Sequence, residues 1–180
     1  YVRRTREATH RAWAPWALSH GLVYDPGRGS WAMSTWPRIE GKVDGIPVTI
    51  DLTDPQPKDT AGVRTRATAQ PPAPLPGNLE LTREGVLSTF AKLFGAQDLQ
   101  LGDRAFDQAF LIKATDEAAA RALLGPETRA RILELDIERL AYDDGISHAA
   151  APLVVVELQA LIEDGARLDR LCELVVSIAR

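Results

Sequence analysis

The stretch RIEGKVDGIPVTIDL, residues 38–52, decides the fold class. Ile39 and Val43 stand among polar neighbours ahead of Asp44-Gly45, and Ile46, Val48, Ile50 and Leu52 alternate behind it. A period of two marks strands with one buried face. Asp-Gly tolerates the positive φ angles of the two-residue turns that join antiparallel strands, so the segment reads as a β-hairpin.

Working outward, a polar stretch containing Pro55 and Pro57 precedes a predicted strand at Val63 to Ala69, and the four prolines from Pro71 to Pro76 make an extended connection. Asn78 to Arg83 alternates as a strand, Val86 to Phe94 has helical spacing, and Phe110 to Ala114 is a short apolar strand. Asp116 is placed to cap a helix through Leu124, Gly125 to end it, and Pro126 to open another that runs to about Leu135. A second hairpin is expected from Ile137 to Tyr142, Asp144-Gly145 and Ile146 to Ala150. From Leu153 to Arg180, the stripe Val154, Leu158, Leu161, Leu168, Cys172 and Val175 reads as one final helix, bending at Gly165 and burying Leu158, Leu161, Leu168 and Val175. Unbroken, it would be about 40 Å long. Upstream, residues 5–19 are helical, with Ala8, Ala12, Trp16 and Leu18 near one face, a kink or break at Pro15, and Gly21 as the stop.

The expected fold is therefore α+β: a mainly antiparallel sheet with two Asp-Gly hairpins, helices packed on one face, and a long C-terminal helix. We divide the chain into a basic juxtamembrane-like helix, 1–24, and a single α+β domain, 25–180.

Composition narrows the function. At 180 residues, 45% hydrophobic and 26% charged, the chain can build a self-supporting core. Its single cysteine, Cys172, rules out an internal disulfide framework and cysteine-rich zinc sites, and points to a reducing compartment. The net charge of -4 argues against nucleic acid as a partner. Charge is uneven: Arg3, Arg4, Arg6 and Arg11 face only Glu7 in residues 1–24, whereas residues 96–150 hold eleven acidic side chains against six basic ones. The seventeen arginines against four lysines suggest a GC-rich bacterial genome. Tyr1 opens the chain and Met33 is its sole methionine, from which we expect a segment upstream.

Motifs for chemistry are sparse. His10, His20 and His148 have no second ligand at metal-binding spacing, so neither a metal nor a cofactor is expected. Asp98, Asp103 and Asp107 form the densest acid cluster, which reads first as a loop entering the Phe110 strand, tied by arginine and anchored by Phe106. Cys172 lies on an apolar stripe and reads as a core residue. There is no phosphate-binding glycine loop and no nucleophile elbow.

The order ALSHGLVY, WPRIEGKVDGIPVTI and GDRAFDQAFLIKATDEAAARALLGPETRARIL resembles uncharacterised bacterial domains that follow a pair of transmembrane helices. Their phrase F-D-x-x-F-x-[VI]-x-[ST]-x-D-x-x-x-A-x-x-L-L-x-P is matched at Phe106, Asp107, Phe110, Ile112, Asp116, Ala120, Leu123, Leu124 and Pro126. Thr115, directly before Asp116, sits one position away from the small polar residue of that phrase. The resemblance spans residues 17–135 and implies placement rather than a reaction.

Together these features point to a non-enzymatic cytoplasmic interaction or regulatory domain of a bacterial membrane-associated protein, tethered to the inner membrane and partnered by another protein. Arg3, Arg4, Arg6 and Arg11, with Trp13 and Trp16, are the candidate residues for contact with a membrane surface. Two alternatives stay open. One is a small-molecule or lipid-binding module, which needs an apolar cavity of a few hundred Å3 beside the sheet and final helix. The other is a hydrolase using Asp103, Asp107 and His148, which needs those groups in hydrogen-bonding reach of each other or of a shared water.

Overall fold

A computed structural model of the chain describes residues 2–28, 35–53, 63–84, 97–144 and 151–180. Its elements are α1 (Val2–Ser19), β1 (Val23–Asp25), β2 (Arg38–Val43), β3 (Ile46–Thr53), β4 (Arg64–Ala69), β5 (Leu79–Arg83), β6 (Gln97–Asp98), α2 (Arg104–Ala109), β7 (Phe110–Ala114), α3 (Glu117–Leu123), α4 (Pro126–Leu135), β8 (Arg139–Asp143), β9 (Leu153–Leu158) and α5 (Gly165–Ala179). The nine strands among the described residues form one sheet in the order β1-β2-β3-β4-β9-β8-β5-β7-β6. Every pairing is antiparallel.

The decisive hairpin forms as its sequence requires. Val43 faces Ile46 across Asp44 and Gly45, whose φ angles are 51° and 82°. Gly45 meets that demand without strain, and Asp44 is among the few residue types that adopt the left-handed region readily.

One face of the sheet makes the core. Across seven strands the row Ile39, Ile50, Ala67, Val156, Leu140, Leu81 and Ile112 runs in register, each residue 1% exposed or less. α5 covers β3, β4 and β9 on this face, and α4 and α1 pack against α5 in turn. Trp13, buried in α1, donates from Nε1 to the Ile162 carbonyl at 2.9 Å. The α+β class, the antiparallel sheet and the helices on its apolar face thus match the sequence reading.

Several details differ from that reading. The segment 153–180 is not one helix: β9 comes first, and α5 starts only at Gly165. Val154, Val155 and Val156 are β-branched and favour a pleated strand, where Val154, Val156 and Leu158 are buried in alternation. Asp164 then caps α5 by accepting the Arg167 amide at 2.8 Å, so Asp164-Gly165 marks a helix start rather than a bend. Leu158, Leu168 and Val175 are buried as expected, while Leu161, on the connection, is only half-buried.

β8 takes β9 as its partner, beginning with Asp143 opposite Leu153; the expected return strand at 146–150 lies outside the described residues. So does the expected helix at 86–94. α1 runs unbroken through Pro15, and its inward stripe is Thr5, Thr9, Trp13, Trp16 and Ala17. Leu18, expected on that face, is 81% exposed. Thr9 is tolerated there because its hydroxyl donates back to the Thr5 carbonyl at 3.0 Å.

Candidate functional site

The N-terminal candidates divide by burial. Arg4 and Arg11 are exposed on α1, and Arg11 bonds back to the Glu7 carbonyl at 3.2 Å. Arg6 is half-buried and donates to the carbonyls of Arg28 and Thr35, both at 2.9 Å, which ties α1 to the loop after β1. The Arg3 side chain lies outside what the structure describes. Trp13 and Trp16 are buried, and Trp16 donates to Asp169 Oδ1 at 2.7 Å while stacking on His20 with ring centroids 4.3 Å apart. His20 reaches the same carboxylate oxygen with Nε2 at 3.1 Å. These two tryptophans fasten α1 to α5 and to the connection before it, and Arg4, Glu7, Arg11, Pro15 and Leu18 lie on the solvent-facing side of the helix.

Positions 4, 7, 11, 15 and 18 share that side because steps of three, four and seven residues nearly complete whole turns. The edge strand β1, which contacts α1, carries Val23, 70% exposed.

The acid cluster has structural employment. Asp103 caps α2, a helix that the sequence reading took for a loop, through the Phe106 amide, and lies 3.6 Å from Arg129. Asp107 accepts the amides of Leu101 and Gly102, both at 2.9 Å, and so closes the turn before α2. Phe106 is fully buried, the anchor that the sequence suggested. The Asp98 side chain and His148 lie outside the described residues. Among the described residues, no group of three or more histidine, cysteine, aspartate or glutamate side chains is arranged to hold a metal ion. Cys172 is buried in α5, and burial, with Asp169, Glu173 and Asp44 adding to it, pushes its thiol up to about 11.

The sheet's other face carries an ionic row that the sequence reading missed. Asp25, Arg38, Asp51, Arg66, Glu157 and Arg139 stand opposite one another across six successive strands, with charge alternating at every step. Arg66 grips Asp51 through two bonds of 2.9 and 2.6 Å, and Arg139 reaches Glu80 at 3.0 Å and Glu157 at 3.7 Å. The bond to Asp51 raises Arg66 above its ordinary pKa, outweighing the opposing effect of burial. Each charge alternates with a core residue along its own strand, but the sign rule becomes visible only once strand order is known.

At one end of the molecule, α3, the tip of α5 and the loop before β5 surround a cleft of about 450 Å3. Leu75, Leu79, Ala119, Ala120, Leu123 and Ile178 supply its apolar walls. Asn78, Asp116, Thr128, Tyr142, Ser177 and Arg180 supply its polar points. The Tyr142 hydroxyl donates to the Leu75 carbonyl at 2.8 Å and accepts the Leu75 amide, so the ring pins the proline-rich connection. Burial is the main cause that pushes the phenol above its ordinary pKa. Gly77 has φ +70°, and a Cβ there would come within 2.7 Å of Thr115 Oγ1, so only glycine lets this loop lie against the start of α3. Asp116 caps α3 through the Ala119 amide at 2.9 Å, and Arg180 pairs with Asp44 of the first hairpin. The alanines at 118, 119, 120 and 122 were the available signal, since small side chains on a helix leave room beside it.

No family model matches the chain, and neither does any curated protein. Among solved structures, it is similar to the mycobacterial trehalose monomycolate transport factor A, TtfA, with 13% sequence identity and a TM-score of 0.63. The likeness covers 98% of this chain and 93% of the other, and it is a likeness of fold.

Proposed function

We propose that this chain is a non-enzymatic interaction domain of a bacterial membrane-associated protein, sitting on the cytoplasmic side and serving a protein partner at the membrane surface. The observation that carries the reading is the outer side of α1. There Arg4 and Arg11, with Glu7 between them, stand in line with Leu18, 81% exposed, and β1, which contacts α1, carries Val23, 70% exposed. Basic side chains beside exposed apolar ones suit an anionic lipid surface, and arginines ahead of the body follow the positive-inside tendency. No helix among the described residues is long and apolar enough to cross a membrane, so on this reading the domain lies against the bilayer.

The fold likeness to a factor of trehalose monomycolate transport supports a setting near envelope lipid. The structural roles of Asp103 and Asp107 favour a domain that binds over one that hydrolyses.

Each arginine near an anionic surface contributes about 1 kcal/mol, which makes the attraction weak and dependent on salt. Co-sedimentation with phosphatidylglycerol vesicles should show binding at low salt that fades near physiological salt, and Arg4→Ala with Arg11→Ala should abolish it. Absence of binding at low salt, or equal binding to phosphatidylcholine vesicles, would refute the reading.

A further inference from the structure

We propose that the cleft between α3, the tip of α5 and the Leu75–Asn78 loop is a binding site for a single-chain amphiphile whose hydroxyl-bearing head group carries no negative charge. This site is separate from the outer side of α1 and does not depend on the membrane reading.

Three observations fix the ligand class. The first is size: about 450 Å3 falls within the range of small-molecule sites, which begins at roughly 300 Å3. The second is the wall. Leu75, Leu79, Leu123 and Ile178 line a cavity that Ala119 and Ala120 keep open, and such a surface receives an alkyl chain. The third is the state of its two charges. Asp116 already holds the Ala119 amide, and Arg180 already holds Asp44. An anionic head group would enter beside the Asp116 carboxylate and compete with Asp44 for Arg180, whereas one without negative charge meets neither cost. Ser177 donates its proton to the Leu174 carbonyl and so offers its oxygen as an acceptor, which suits a hydroxyl donor. The loop is held by both bonds to Tyr142 and by the close fit at Gly77, so the cleft is formed before any ligand arrives.

Isothermal titration of the chain with octyl β-glucoside below its micelle concentration, with octanoate, and with glucose tests the assignment. Octyl β-glucoside should bind, octanoate should bind about tenfold more weakly or less, and glucose should not bind. Ala122→Trp and Ser177→Trp lie at exposed positions on different helices that line the cleft, so each should weaken octyl glucoside binding about tenfold while leaving the thermal midpoint in place. The proposal fails if octyl glucoside does not bind, if neither tryptophan variant weakens it, if octanoate binds as well, or if glucose alone suffices. Vesicle binding is unaffected by either tryptophan in this account, so the two readings fail separately.

Discussion

Arg64 and Glu138 meet through bonds of 2.7 and 3.0 Å at a place where their side chains are only 14% and 8% exposed. Deleting one partner of such a pair leaves a buried charge unanswered, so Arg64→Ala should destabilise the protein by about 3 to 5 kcal/mol. Arg131, half-exposed and paired with the open Glu127 one helical turn away, should cost no more than about 0.5 kcal/mol on the same substitution. Urea denaturation of the two variants measures the contrast, and similar losses would contradict it. At this scale the sequence was legible where a residue answers to near neighbours. The caps Asp103, Asp116 and Asp164 act on amides three residues ahead, yet only Asp116 reads as a cap from sequence, since α2 reads as a loop and the start of α5 as a bend. The partner of Glu138 could not be read, because β8 and β4 are brought near each other only by β9 between them.

The last thirty residues show how an element can be misread while its apolar residues are correctly picked out. A run such as Leu153 to Leu158 satisfies helical and strand templates alike, and length favoured the helix. The valines decide for the strand because their branched side chains pack well on a pleated surface, and the connection from 159 to 164 then falls outside both elements. Leu168, on the buried side of α5, should lose about 2 to 5 kcal/mol on truncation to alanine. Leu161, half-buried on the connection, should lose only about 1 kcal/mol, since its methyl groups leave water incompletely. Chemical unfolding of the pair checks the order, and an equal loss would restore Leu161 to the core. The first hairpin posed no such difficulty, because its alternation and its turn residues agree.

For the whole molecule, all four tryptophans lie within the first 36 residues while eight of the nine strands among the described residues follow them, which provides two probes of one question. Trp13 and Trp16 lock α1 onto the α5 side of the core, so tryptophan fluorescence and far-ultraviolet circular dichroism should unfold at coincident urea midpoints. An earlier fluorescence transition would make residues 1–24 a separable unit. The cleft was the least legible feature at this scale, since its walls come from segments far apart in the chain and small side chains announce room without saying what encloses it. The alternating row on the opposite face has a different bearing. Every strand in it carries the sign that both of its neighbours lack, so β4 finds Asp51 on one side and Glu157 on the other. A strand that skipped one place in the order would bring like charges face to face, which is destabilising across a pair. The row thus acts as a parity check on assembly: it adds little to the depth of the native state but penalises rival orders, and that matters most for partners such as β4 and β9, which must find each other across a long stretch of chain.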